Sequence, residues 1–185
     1  MKRIAASGFT LGEMLVTVAI LGVIASVVIP LLSSSDPQKL AVAAEETANT
    51  LRYALGEAKR TGGYVLVDGK TTAGTLQLYY STAAANLPPT SGVSAISDPL
   101  TKRALNLNVN SNPFSQGVTL TPQFRAGGQV WQQLLIGPGL SQMLVFDGAS
   151  TGKGALQANS GVLLILGSQS VQVNLNHVTG LVTLP

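Results

Sequence analysis

Three patterns of apolar and polar positions follow one another along the chain. From Phe9 to Leu32 run 24 residues in which Glu13 is the only ionisable side chain. As a helix, a run of that length covers a hydrocarbon core of about 30 Å. After "LLSSSD" the apolar positions Leu40, Ala44, Ala48, Leu51, Leu55 and Ala58 recur at helical spacing, while Glu45, Glu46, Arg52, Lys59 and Arg60 fall largely elsewhere. This predicts an amphipathic helix over 37–61. Asp36 and Pro37 form an N-cap and first-turn pair, and Gly62-Gly63 supplies a C-terminal stop.

From Tyr64 the period changes to two. Strands are predicted over 64–67, 75–80, 104–109, 117–121, 129–136, 142–146, 162–166, 171–176 and 181–184. Asp68-Gly69, Gly137-Pro138-Gly139, Asp147-Gly148 and Gly167-Ser168 are turn signals between them. Helix first and strands afterwards predicts an α+β fold, a small β-sandwich packed against the helix. The stretch 81–100, "STAAANLPPTSGVSAISDPL", has no period and reads as a surface loop, the first candidate for a partner contact.

Composition narrows the classes. The 185 residues suit one membrane segment and one domain, and only 10% of them are charged. The absence of cysteine excludes disulfides, thiol nucleophiles and Cys-ligated metals. The net charge of +3 falls to +1 without Lys2 and Arg3, too little for a nucleic-acid footprint unless the basic residues cluster.

Those two residues precede the apolar run, so the positive-inside rule keeps the N-terminus cytoplasmic and sends the remainder outward. A cleavable secretory signal has a shorter apolar core. A plain signal-anchor fits the length but leaves Glu13 unexplained, since an unpaired carboxylate in hydrocarbon costs several kcal/mol.

The segment "KRIAASG|FTLGEMLVTVAILGVIASVVIP" resembles the prepilin-type signal of type IV pilins and type II secretion pseudopilins. The resemblance implies cleavage by prepilin peptidase between Gly8 and Phe9 and N-methylation of Phe9. It implies that Glu13, fifth residue of the mature chain, pairs with the N-terminal ammonium of a neighbouring subunit and fixes filament register. Opposite charges attract strongly in low dielectric, and a polar residue sets register in coiled coils in the same way. Gly22 and Pro30 match the positions that loosen the family's helix, while Gly12 departs from its usual bulky aliphatic residue.

Beyond the N-terminus, "LRYALGEAKRTGGYVLVDG" and "MLVFDGASTGKG…GVLLILGSQSVQVNLNHVTGLV" resemble the GspH/FimT group of minor pseudopilins. That resemblance implies a pilin-like chain in four parts: a leader, 1–8; a transmembrane assembly helix, 9–32; its amphipathic continuation, 33–63; and a periplasmic β-rich domain, 64–185. The chain would be a single-pass protein of the bacterial inner membrane and a minor pseudopilin of a type II secretion pseudopilus. The implied partners are prepilin peptidase, other major and minor pseudopilins, the inner-membrane assembly platform and secreted cargo. The alternative is a FimT-like minor pilin in type IV pilus biogenesis or DNA uptake. DNA is disfavoured, because DNA-binding members carry a basic tail where this chain reads "TGLVTLP", and Lys102, Arg103, Arg125 and Lys153 are scattered.

No enzyme is expected. "DGKTT" and "GASTGKG" do not satisfy the phosphate-loop pattern and lie between strands, so they read as hairpin turns. His177 is the only histidine, Asp68, Asp98 and Asp147 each stand at a turn, and no G-x-S-x-G elbow is present. Neither a metal nor a cofactor is expected.

Overall fold

The computed structural model describes residues 10–33, 36–81, 93–140, 142–147 and 152–185, side chains at 27–33 and 139 excepted. It divides into two compact units, Met1–Ser35 and Asp36–Pro185, each considered by itself.

The first unit holds one helix, α1 (Leu11–Ser33). Its Val and Ile residues are indifferent helix formers in water, but a helix is the form in which a lone apolar segment satisfies its own backbone.

The second unit opens with α2 (Asp36–Thr61), which carries Asp36 in its first turn and Lys59 and Arg60 in its last, in keeping with the helix dipole. It ends at Gly62, whose φ of 62° suits glycine. All six apolar positions read from the helical period are buried, joined by Ala43, Thr47 and Ala54. So many alanines on one face let the helix lie close to the strands beneath it.

Twelve strands follow among the described residues: β1 (Tyr64–Asp68), β2 (Thr75–Ser81), β3 (Val93–Ala95), β4 (Asn106–Asn108), β5 (Thr119–Ala126), β6 (Gln129–Trp131), β7 (Gln133–Ile136), β8 (Met143–Phe146), β9 (Gly152–Ala155), β10 (Ser160–Leu166), β11 (Gln169–Leu175) and β12 (Val182–Thr183). They form two antiparallel sheets. One runs β3-β2-β1-β7-β8-β9, with β4 also paired to β2; the other runs β12-β11-β10-β5-β6. Side chains of both sheets meet α2 in one core, including Leu51, Val67, Leu78, Phe124, Leu134, Leu164 and Val173. A smaller apolar cluster, Leu66, Leu135 and Phe146, occupies alternate positions of β1, β7 and β8. The fold is α+β, as the order of elements predicts.

Several boundaries differ from the periodic reading. The predicted strand over 129–136 is two strands that break at Gln132 and pair in different sheets: Trp131 lies opposite Phe124, and Gln133 opposite Asp68. Gly69 holds the break, donating its N–H to the Gln132 carbonyl at 3.0 Å. A Cβ there would collide with Pro122. The strand predicted over 117–121 starts later, at Thr119, and continues through Pro122 to Ala126. That predicted over 104–109 shrinks to Asn106–Asn108 because Val109 enters a 3₁₀ turn capped by Asn108. The stretch 81–100 is not wholly loop: Val93–Ala95 pairs with Tyr79–Ser81 and Ser97 bridges Ala104, while 82–92 lies outside the described residues. β9 (Gly152–Ala155) was not predicted; its Gly-rich sequence has no apolar alternation to read.

Candidate assembly site

The sequence places its functional residues in and just before α1. Gly8 and Phe9 lie outside the described residues. Thr10 and Glu13 close the N-terminus of the helix as a capping box. The Thr10 N–H and hydroxyl donate to Glu13 Oε2 at 2.9 and 3.1 Å, and the Glu13 N–H donates to Thr10 Oγ1 at 3.3 Å. The carboxylate thereby satisfies helix-end donors and sits where the helix dipole favours negative charge. Oε1 has no partner among the described residues. The signal for this arrangement, T-x-x-E at Thr10–Glu13, is present in the sequence.

From Leu11 to Ile24 the apolar side chains point outward on every side. Leu11, Met14, Leu15, Val16, Val18, Ile20, Leu21, Val23 and Ile24 are between 51 and 81% exposed. A helix apolar all round is a segment meant to be enclosed, by lipid or by other helices. Two of its hydroxyls donate internally: Thr17 Oγ1 to the Met14 carbonyl at 2.9 Å and Ser26 Oγ to the Val23 carbonyl at 2.7 Å. Counting only described side chains, which in α1 end at Ser26, no helix is long and apolar enough to cross a membrane. Gly22 has no atom of the described residues within 4 Å of an added Cβ, so no contact among them requires glycine there. At Gly12 a Cβ would meet Thr10 Oγ1 at 3.9 Å, an ordinary contact. Pro30 lies inside α1 and supplies no N–H to the carbonyl four residues before it.

The β-domain carries polar clusters that sequence reading did not anticipate. Glu57, buried on α2, takes a two-pronged contact from Arg60, 3.0 Å from Nε and 2.6 Å from Nη2, and a hydrogen bond from the Tyr80 hydroxyl at 2.7 Å. The Arg60 hydrogen bonds hold its carboxyl below the usual range against the opposing effect of burial, and the bond to Glu57 pushes the Tyr80 hydroxyl up. Buried Asp68 accepts from the Lys70 and Thr71 N–H groups at 2.9 and 3.3 Å and from buried Gln133 Nε2 at 2.9 Å. Both clusters lock the hairpin β1–β2 to its neighbours.

Two of the scattered basic residues have their charged groups engaged locally. Arg125 Nε donates to the Asn159 carbonyl at 3.1 Å. Lys153 Nζ lies 2.6 Å from Asp147 and 5.0 Å from the Trp131 ring centroid. Lys102 closes a turn through its backbone, its N–H donating to the Asp98 carbonyl at 2.9 Å. "DGKTT" connects β1 to β2, as a hairpin turn should. His177 is exposed in the turn between β11 and β12, and the described residues contain no group of three metal-ligating side chains.

No protein-family model and no curated protein sequence matches the chain. Among solved structures it is similar to the minor pseudopilin EpsH from the Type 2 Secretion System of Vibrio cholerae. The TM-score is 0.46 and the identity 14%, over 79% of this chain and 94% of that one. A likeness of that depth carries no argument about function.

Proposed function

We propose that the chain is a filament subunit of the pilin type, a minor pseudopilin of a type II secretion system. It is inserted in the bacterial inner membrane as a precursor with its N-terminus in the cytoplasm. Prepilin peptidase cuts between Gly8 and Phe9, and Phe9 becomes N-methylated. The observation that carries the reading is α1 itself, a helix with exposed apolar side chains all round and one carboxylate, Glu13, at its start. Such a surface needs enclosure twice: by lipid before assembly and by neighbouring helices afterwards.

The electrostatics fit the same role. Glu13 Oε2 is occupied by Thr10, while Oε1 accepts from no described residue, an arrangement that suits a cation from another chain. The ammonium freed at Phe9 of a neighbouring subunit is such a cation, and an ion pair in low dielectric penalises any register that leaves one partner alone. The β-domain would then stand outside the membrane, meeting other subunits and secreted cargo.

N-terminal mass spectrometry tests the reading. In cells with active prepilin peptidase the chain should begin at methylated Phe9, and a chain beginning at Met1 would refute it. Neighbouring genes for a secretion ATPase and an outer-membrane secretin, as against pilus retraction or competence genes, decide between secretion and a type IV pilus.

A further inference from the structure

Between β3 and β4 the chain leaves the sheet as a short hairpin, residues 97–104. Both ends are rooted. Ile96 is fully buried and Leu105 packs against the same core; the Leu105 N–H donates to the Ile96 carbonyl at 2.7 Å, and the Ile96 N–H to the Leu78 carbonyl of β2 at 2.9 Å. Ser97 bridges Ala104, and Asp98 donates its N–H to the Arg103 carbonyl at 2.8 Å. At the tip stands Leu100, 92% exposed, the most exposed large apolar side chain among the described residues.

Asp98 closes the tip on itself. Its Oδ1 accepts the Leu100 N–H at 2.8 Å, its Oδ2 the Thr101 hydroxyl at 3.0 Å and its carbonyl the Lys102 N–H at 2.9 Å, while the Arg103 N–H donates to Thr101 Oγ1 at 3.4 Å. Hydrogen bonds from the Leu100 N–H first, then from the Thr101 hydroxyl and N–H, hold the Asp98 carboxyl below its usual range. From Asp98 to Arg103 every backbone N–H therefore has a partner inside the hairpin, save Pro99, which has no N–H to offer. Such a tip asks nothing of a partner's polar groups. That is the condition for meeting hydrocarbon, where an unsatisfied donor finds no water, whereas a tip built to read a protein or a nucleic acid keeps donors for its partner.

Two cations stand directly behind the tip. Lys102 and Arg103 are exposed, and among the described residues neither the ammonium nor the guanidinium has a hydrogen-bond or salt-bridge partner. Lys102 holds a φ of 58°, in the left-handed region that glycine or asparagine fills at less cost. The hairpin thus carries a cation where the backbone favours a smaller residue. One acid, Asp98, stands against the two cations, with both its oxygens turned into the turn. An apolar residue ahead and long cationic side chains behind make an interfacial anchor: the leucine enters the acyl boundary while the charges stay at the level of the headgroups.

We propose that the 97–104 hairpin docks on an anionic lipid surface, Leu100 entering the bilayer interface and Lys102 and Arg103 meeting lipid phosphates. One leucine and two cations make a weak contact on their own. The inference therefore rests on the membrane-anchored reading of α1, which keeps the β-domain at a high local concentration of lipid. Docked in this way, the β-domain of a subunit waits at the bilayer until the filament takes it up.

The chain has no cysteine, so one introduced thiol carries one probe. Full-length Pro99→Cys, which keeps Leu100, is labelled with an environment-sensitive nitrobenzoxadiazole dye and reconstituted in vesicles of phosphatidylcholine, alone or mixed with phosphatidylglycerol. With phosphatidylglycerol the emission should shift to the blue and rise several-fold over that in phosphatidylcholine, and high salt should reverse the gain. Adding Leu100→Ser, or Lys102→Glu with Arg103→Glu, should abolish it, and the same dye at Phe114→Cys, on a different exposed loop, should not respond. Equal emission in the two vesicles, or a response that survives Leu100→Ser, overturns the proposal. Flotation of the chain with phosphatidylcholine vesicles reports on α1 separately. Flotation without a phosphatidylglycerol response overturns the docking and leaves the anchored reading standing; the response without flotation on phosphatidylcholine does the reverse, and failure of both overturns both. A blue shift that appears only when other subunits are added assigns the hairpin to a protein partner and also overturns the proposal.

Discussion

Glu13 holds Thr10 through one oxygen only: Oε2 accepts both the Thr10 N–H and its hydroxyl, at 2.9 and 3.1 Å, and Oε1 accepts from no described residue. The carboxylate therefore has two separable duties, closing its own helix and, in the proposed filament, answering a neighbour's ammonium. Glutamine can serve a capping box but carries no charge. Glu13→Gln should keep the N-terminal turn and peptidase processing, as read by N-terminal mass spectrometry, yet lose assembly in a filament-shearing assay. Glu13→Ala should be processed and equally deficient in assembly. Normal filaments from the glutamine variant would mean that the cap is the whole of its role.

Glu57 should govern the acid side of the β-domain's stability. Folding lowers its pKa, so its contribution is present above the ordinary glutamate range, about pH 4.3, and is lost as pH falls through the folded value. Arg60 is two-thirds exposed and adds little as a charge. Glu57→Gln should cost about 1 kcal/mol at neutral pH and flatten the acid limb. Trp131, the single tryptophan, lies in this unit, so its fluorescence during urea unfolding of the full-length chain checks both effects.

Two glycines should respond in opposite directions. A Cβ at Gly161 in β10 would overlap the Val173 carbonyl of β11, where the backbone of a paired strand cannot give way. Gly161→Ala should destabilise by about 3 kcal/mol. Gly56, exposed inside α2, has nothing within 4 Å of an added Cβ, and Gly56→Ala should stabilise by about 0.5–1 kcal/mol. Thermal unfolding of the two variants, followed by the same tryptophan, separates them.

Removing Asp68 should cost more than its place in a turn suggests. Its Oδ1 takes Gln133 Nε2 and two backbone N–H groups, and Asp68→Ala strands the buried amide of Gln133. A loss of about 3 kcal/mol is expected, while Asp68→Asn, which keeps the Oδ1 acceptor, should lose about 1 kcal/mol. Equal losses in urea midpoint would show that the charge, not the acceptor, matters.

How far the sequence could be read follows from which signals are local. The buried face of α2 is legible because six apolar residues keep a helical period against a charged remainder, and β1, β2, β10 and β11 because their apolar runs end at turn residues. The division of 129–136 is not legible: Trp131 and the run Leu134–Ile136 are apolar on both sides of Gln132, and only the distant pair Gly69 and Pro122 dictates a change of sheet there. β3 and β9 owe their strand form to neighbours, β2 and β8, and have little apolar pattern of their own. At the candidate site, Thr10 was readable from its spacing to Glu13, whereas the Glu57–Tyr80 bond joins residues 23 apart and needed the fold.

The hydroxyls of Thr17 and Ser26 spend their hydrogens on their own helix backbone, at 2.9 and 2.7 Å. Between Glu13 and Ser26 the outer surface of α1 thus offers a partner no side-chain donor, and little beyond dispersion and shape. On the proposed role, a subunit moving from lipid into a filament exchanges one hydrocarbon-like surrounding for another along this stretch, with no side-chain donor to be satisfied anew. The free-energy difference that makes the journey directional then falls on the two oxygens at its first turn.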